Sequence, residues 1–550
     1  MTNQIIKMAG LFLLLALSGC GGGGGGSSSS SGSGSGSSGS GGGTTTATAP
    51  TLVALAHQPT SVGDLAILLT DGSVLIQGDP NATAVVNGAS GAALFYRLTP
   101  DVSGSYANGT WTQISSPPAG YAPYAGCSAV LADGRVVFVG GEYNQNNYSI
   151  PFAPSALTNM SAVYDPVADK WTMIPPPPGV PYIGDVPCVI SPTGQLIFGL
   201  KLGTTMWSLD PGTLTWSQLP SSGKADNFAE EGFTLLPSGA ILTIDVGATP
   251  HAEHYAPTLG QWIADGSTPQ SLTSPTDYPN GITYGPAPLQ VVGGLTFGFG
   301  PTGTYFPPGE IGPAILRPNG TVFATGSASA GQTGHTAIYT PGAMPSVAGT
   351  WVAGPDFPTG DNAGDSSAVL LPSGNVLVAG DSAALYEFNG STLTKTVAAP
   401  AGANPPPVSL LPLPTGQTLV LVGGGSVQLY TPLGSPNAAW APTITAPPTN
   451  LTRGMTYTLT GTKFNGLSQA ASYGDELSSS TNFPIVRITN TASGHVFFAR
   501  THNHSTMAVA TGSTPVSTMF DVPSGAEAGA STLVVIANGI ASAGVSVTLN

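Results

Sequence analysis

One phrase recurs seven times between Thr51 and Pro442: an apolar strand, a polar turn carrying a glycine, and a second apolar strand. It reads LAILLTDGSVLIQG around Gly72, SAVLADGRVVFVGG around Gly134, CVISPTGQLIFG around Gly194 and FTLLPSGAILTID around Gly239. It returns as AILRPNGTVFATG around Gly320, AVLLPSGNVLVAG around Gly374 and SLLPLPTGQTLVLVGG around Gly416. A third strand with an aromatic follows each hairpin, as at Tyr96, Tyr164, Tyr255 and Tyr339. A fourth carries Trp111, Trp171, Trp216, Trp262, Trp351 and Trp440, and only the sixth copy lacks its Trp. The anchoring glycines lie 62, 60, 45, 81, 54 and 42 residues apart, so the strand set is constant while the loops vary. Four antiparallel strands repeated in this way are the signature of a seven-bladed β-propeller. An array of β-sandwiches would need no common hairpin anchor. With 76 Gly and 51 Pro in 550 residues, an all-helical chain is excluded, because both disfavour helix interiors. The fold class is therefore all-β.

From Pro442 the chain reads as short alternating strands, MTYTLTGTKF, PIVRITN, HVFFART, MAVATG and STLVVIANG, which predict an immunoglobulin-like β-sandwich over 443–550 after a propeller over 51–442. The segments Tyr164-Asp165-Pro166 and Trp171 resemble Kelch repeats, in particular the galactose oxidase-like branch, and Phe483 to Ala510 is similar to the C-terminal domain of galactose and glyoxal oxidases. That resemblance implies a copper-radical site of two Tyr, two His and a Cys bonded to one of the Tyr, with a Tyr-His dipeptide at an inner-strand entrance. The sequence has no Tyr-His dipeptide, and the last two blade entrances read Gly364-Asp365-Ser366 and Pro406-Pro407-Val408. Cys127 stands near the place of the cross-linking Cys, Asp185 stands where a Tyr is wanted, and His502 matches the His of the C-terminal domain. One match in five does not make the site, so no copper-radical cofactor is expected.

The N-terminus predicts export. Lys7 precedes an apolar run from Met8 to Leu17 that ends in Leu17-Ser18-Gly19-Cys20, the pattern of a lipoprotein signal peptide over 1–19 with Cys20 lipidated. Gly21 follows rather than Asp, so the outer membrane is the expected destination. Residues 21–43 are Gly and Ser alone, and 20–50 reads as a flexible tether. Only 12 basic residues stand against 27 acidic ones, which leaves no positive face for nucleic acid. A monomer is expected.

The acids are not evenly spread. Counting back eight to ten residues from the anchors gives Asp64, Asp185, Glu230, Glu231, Glu310 and Asp365; counting forward six to eight gives Asp79, Glu142, Asp245 and Asp381. In antiparallel blades the first strand starts, and the second ends, on one face beside the axis, so these ten are expected to ring one mouth of the channel. Crowded carboxylates raise one another's pKa and invite a cation, a proton or a donor-rich ligand such as a sugar. Oxygen ligands would favour a divalent Ca²⁺, Mg²⁺ or Mn²⁺, adding His502 would favour a transition metal, and His502 with His504, alternating along a strand, form a separate candidate chelating pair. The competing reading is that the acids cap strand ends and keep the face soluble. Cys127 and Cys188, at near-equivalent positions of adjacent blades, read as two buried free thiols, with a disulfide as the alternative in an exported chain. Three functions remain: a propeller binding a glycan or other envelope polymer at its acidic mouth, an oxidase-like or other metal-dependent enzyme with an altered site, and a scaffold docking an envelope protein.

Overall fold

The structure, a computed structural model, describes residues 49–550 apart from 81–90, 145–156, 277, 286–288, 299, 301, 398, 404–407 and 475–478. The signal peptide, Cys20 and nearly all of the tether lie outside the described residues. Among those described, no helix is long and apolar enough to cross a membrane.

The seven repeats form seven four-stranded antiparallel blades. All seven anchoring glycines have positive φ, between 76° and 89°, a left-handed conformation that side chains disfavour. Each closes the same turn, seen in blade 1 as Leu69 N–H to Ser73 O and Gly72 N–H to Leu69 O, at 2.8 and 2.9 Å. The aromatic repeat has an equally local cause. Tyr164, Tyr255 and Tyr339 stand directly opposite Trp171, Trp262 and Trp351 on the neighbouring strand, with ring centroids 5.0, 5.5 and 4.9 Å apart. Such pairs contribute about 0.5–1.5 kcal/mol beyond the area they bury. Three tryptophans also join blades: the indole N–H of Trp111, Trp171 and Trp216 donates to the carbonyls of His57, Ser115 and Pro175, in the chain leading into their own blades.

First strands of neighbouring blades touch one another, 7 against 1, 2 against 3, and 4, 5, 6 and 7 in turn, so they line the axis. Cys127 and Cys188 begin two of these adjoining strands, Cys127–Val130 and Cys188–Ile190. They form a disulfide with Cα atoms 5.8 Å apart, which corrects the free-thiol reading: equivalent positions on adjacent inner strands are side by side. That bond also removes Cys127 from any role as a cross-linking partner of a tyrosine.

The ring is closed from outside its own repeats. The outer strand of blade 7 is Thr51–Ala54, paired with Val427–Thr431, and Trp440, expected in that strand, instead ends a 3₁₀ turn and covers Gly374 of blade 6. The boundary at 442 is crossed as well. Ala471–Tyr473 leaves the C-terminal region and pairs with Ser367–Leu370, the inner strand of blade 6, as a fifth strand that also touches the inner strands of blades 5 and 7. Around it, Gln469 Oε1 accepts the Leu235 N–H at 2.7 Å and Ser479 Oγ donates to Ala66 O at 2.7 Å, so this finger fills the channel against blades 1, 4, 5, 6 and 7.

The rest of the C-terminal region is one hydrogen-bonded sheet of nine strands, curled around a core of Leu459, Phe464, Val486, Ile488, Phe520 and Leu533. Four of the five expected strands are present. MAVATG is not one: Met507 and Val509 are buried in propeller cores, and the Met507 N–H donates to Pro192 O. The alternation there serves docking. This sheet sits on the glycine turns of blades 1 to 3, where Thr501 N–H reaches Thr70 O, His504 N–H reaches Ala132 O, and Phe498 lies against Gly72.

Candidate functional site

At the opposite ends of those strands lie the ten acids, and the structure divides them into separate groups. In blade 1, Asp64 accepts a hydrogen bond from Tyr124; burial, opposed by that bond and reinforced by the charge of Asp79, pushes its carboxyl up to about 6. In blade 6, Asp365 and Asp381 flank a set of bonds made instead by Asp361, which accepts from Ser382 and Tyr386. Asp365 stands beside Gly474, the first residue after the finger strand.

The second group centres on a residue that the acid count passed over. The Lys201 ammonium, after the second strand of blade 3, binds Asp185 and Glu230, the latter at 2.6 Å, and all three side chains are at most 7% exposed. Gly184 makes room for it, since a Cβ there would press on Lys201 Cβ at 3.1 Å. Glu142 from blade 2 and Glu310 from blade 5 lie close enough to share its field. Carboxylates from four successive blades thus face one cation. Burial pushes Asp185 well above the carboxylate range and raises Glu142, against the pull of Lys201. Burial and the charges of Glu230 and Glu142 bring Glu310 up to about 7. For Lys201, burial works against the charge, but Asp185, Glu230 and Glu142 hold its pKa well above the ordinary value. Two buried acceptors here, Asp185 Oδ1 and Glu142 Oε2, have no hydrogen-bond partner among the described residues. Glu230 and Asp365 also adopt φ of 59° and 48°, a left-handed backbone uncommon outside glycine.

The third group is closed. Lys224, its side chain fully buried, lies 2.5–3.0 Å from Asp226, Glu231, Asp245 and Glu253, with Phe228 and Trp262 rings beneath at 5.0 and 5.5 Å. His251 binds the other oxygen of Asp245, and Thr243 donates to Glu231. Burial pushes Glu231 well above the carboxylate range and brings Glu253 up to about 7, with Lys224 opposing both. Asp226, Asp245 and Glu253 offer oxygens within 4.8 Å of one another, the one metal-like arrangement found among the described residues, but the Lys224 ammonium touches all three. The group supplies its own cation.

His502 and His504 do not join the acids. Both lie on the glycine-turn side, His502 Nε2 on Asp521 at 3.1 Å and His504 Nδ1 on Thr518 at 2.9 Å. Burial, with the charges of His502 and Arg500, pushes His504 down to about 3. His502 pairs with Met519 on the neighbouring strand and the His504 N–H donates to Ala132 O in the glycine turn of blade 2, at the opposite ends of the blade strands from the acids, so the expectation that His502 would convert the mouth to a transition-metal site fails on geometry. His254 is likewise structural, between Asp265 and Pro345 O at 2.8 and 2.7 Å.

Seven blades around a filled axis, with buried ion groups at one face and a sheet docked on the other, define an all-β propeller protein. No family model matches the sequence, and no curated protein matches it. Among solved structures, a fungal alcohol oxidase of the AA5 family in complex with copper aligns at TM-score 0.49 and 13% identity, covering 91% of this chain and 98% of its own. A catalytically inactive virginiamycin B lyase from Staphylococcus aureus with quinupristin aligns at 0.43 and 11%, covering 70% of this chain and 100% of its own. The extracellular domain of a hybrid two-component system from B. thetaiotaomicron aligns at 0.42 and 11%, over 82% of this chain and 51% of that one. None of the activities in those names transfers to this chain.

Proposed function

We propose that this is a Kelch-type propeller with an immunoglobulin-like C-terminal domain, lipid-anchored through Cys20 at the outer membrane, that binds a hydroxyl-rich envelope polymer at the Lys201 group. One observation carries the reading: carboxyls from four blades converge there, and Asp185 Oδ1 and Glu142 Oε2 are buried without hydrogen-bond partners among the described residues. An unsatisfied buried acceptor costs about 1–3 kcal/mol, a penalty that an arriving hydroxyl donor would relieve. Raised carboxyls can also donate when protonated, and Lys201 adds N–H donors, so the group matches both halves of a sugar hydroxyl. The Lys224 group leaves one such acceptor, Glu253 Oε2, but its own lysine already touches all four of its carboxylates.

The test is retention of the whole chain, purified in mild detergent, on immobilised envelope polysaccharide. Binding is expected to fall at least tenfold in the double variant Asp185→Asn with Glu230→Gln, while exposed Asp356→Asn changes nothing. Equal retention of the double variant, with its melting transition intact, would falsify the assignment of the site.

A further inference from the structure

The connection from blade 4 to blade 5 is the longest in the ring, and from Thr268 to Gly309 its only charged residue is Asp277. Its described residues form a two-storey β-ribbon. Ser274 N–H donates to Glu310 O at 3.0 Å and Glu310 N–H to Ser274 Oγ at 2.9 Å, closing the base. Ile282–Tyr284 then pairs with Gly303–Tyr305, and Gln290–Val292 with Leu295–Phe297.

The ribbon does not rest on its own blades. Gly298 N–H donates to Asn159 Oδ1 at 2.8 Å, Gly300 N–H to Leu157 O at 3.2 Å, Val292 lies on Gly120, and Gly293 on Met173, all in or leading to blade 2. Leu157 N–H in turn donates to Glu142 O at 3.0 Å. Rooted at Glu310 and tied down beside Glu142, the ribbon crosses the face that carries the Lys201 group. At its inner storey Tyr305 meets Tyr182 phenol to phenol. Tyr182 stands three residues before Asp185 and Tyr305 five before Glu310, and both rings are partly exposed.

We propose that Tyr182 and Tyr305 form an aromatic edge to the Lys201 site and that the polymer bound there is an uncharged polysaccharide, one sugar ring lying on the tyrosines while hydroxyls of its neighbour reach the carboxyls. The inference rests on the function proposed above and narrows its ligand. A tyrosine ring offers an apolar face to the C–H face of a pyranose and a polar rim to its hydroxyls. The ribbon carries almost no fixed charge to attract an ionic polymer. One lysine already bound to Asp185 and Glu230 leaves no cationic excess there to hold uronate, sulfate or phosphate groups.

Native gels containing hydroxyethyl cellulose, soluble starch, galactomannan or dextran, with alginate as the acidic comparison, test this on the whole chain. At least one neutral polymer is expected to slow the protein, and Tyr305→Ala or Tyr182→Ala to weaken that retardation about tenfold. Tyr305→Phe, which keeps the ring, is expected to retain most of it. If a neutral polymer slows the protein and both alanine variants, with unchanged melting, behave like the parent, the aromatic edge is wrong and the Lys201 reading stands. Retardation by alginate alone overturns the uncharged ligand but not the site. No retardation by any of the five overturns both.

Discussion

At the scale of single residues, the chemistry depends on two lysines in a chain with only 12 basic residues. Lys201 was legible in principle: it falls seven residues after Gly194, inside the window that yielded Asp79 and Glu142, and only a search restricted to acids passes over it. Lys224 had no such signal, because its ammonium is brought to Asp245 and Glu253 by a loop outside the repeat. Lys201→Met should destabilise the fold by about 3–5 kcal/mol at pH 7.5 in urea titrations, since Asp185 and Glu230 are left buried without a cation. The cost should shrink at pH 5, where the abandoned carboxyls take up protons. The parent chain has its own pH dependence. Asp64 at about 6, and Glu253 and Glu310 at about 7, are raised above their unfolded values, so between about pH 4.5 and 7 the folded state binds more protons and stability falls as pH rises. His254, also raised, adds a loss above its unfolded value, whereas His504, held neutral, works the other way below about 6.5. With Asp185, Glu142 and Glu231 raised as well and His504 opposing, scanning calorimetry should find a higher Tm at pH 5 than at pH 7.5, and the reverse order would contradict the raised carboxyls.

At the scale of elements, the repeat was readable because each of its parts has a local cause. The glycine answers a left-handed turn, and Tyr opposite Trp answers a cross-strand contact. Elements whose partners lie far along the chain left no comparable trace. Ala471–Tyr473 and Thr51–Ala54 are short, and what makes them strands is the open edge each one meets. The cysteine pair falls between these cases: the equivalence of Cys127 and Cys188 was visible, but their contact follows only once inner strands adjoin around an axis. That disulfide spans 61 residues and joins blades 2 and 3, so the double variant Cys127→Ala with Cys188→Ala should lose about 4 kcal/mol by the loop-entropy account. Alkylation of the unreduced, denatured protein should find neither cysteine free. Trp171→Phe keeps a ring against Tyr164 but abandons the bond to Ser115 O, and a loss of about 1 kcal/mol is expected in the same titrations.

At the scale of the whole molecule, the two domains read from the sequence are interlocked. A chain ended at Pro442 lacks the finger, exposing the inner edge of blade 6 and the channel wall, and it should accumulate as insoluble protein where the full chain is soluble in detergent. On the lipid anchor proposed above, Cys20→Ser should release the protein from the membrane fraction, and an unchanged distribution by fractionation and blotting would overturn that anchor. Closure of blade 7 also has a consequence in time. Thr51 pairs with Thr431, its partner 380 positions later in the chain. At about 5–20 residues per second of synthesis, the first strand therefore waits about 20 to 75 s for the strand that will hold it. Until then the ring is a crescent with two raw edges, and pairing so remote in sequence is slow even once both strands exist. The interval before closure, rather than the finished ring, is when this protein is most exposed to aggregation and most in need of a factor that shields strand edges.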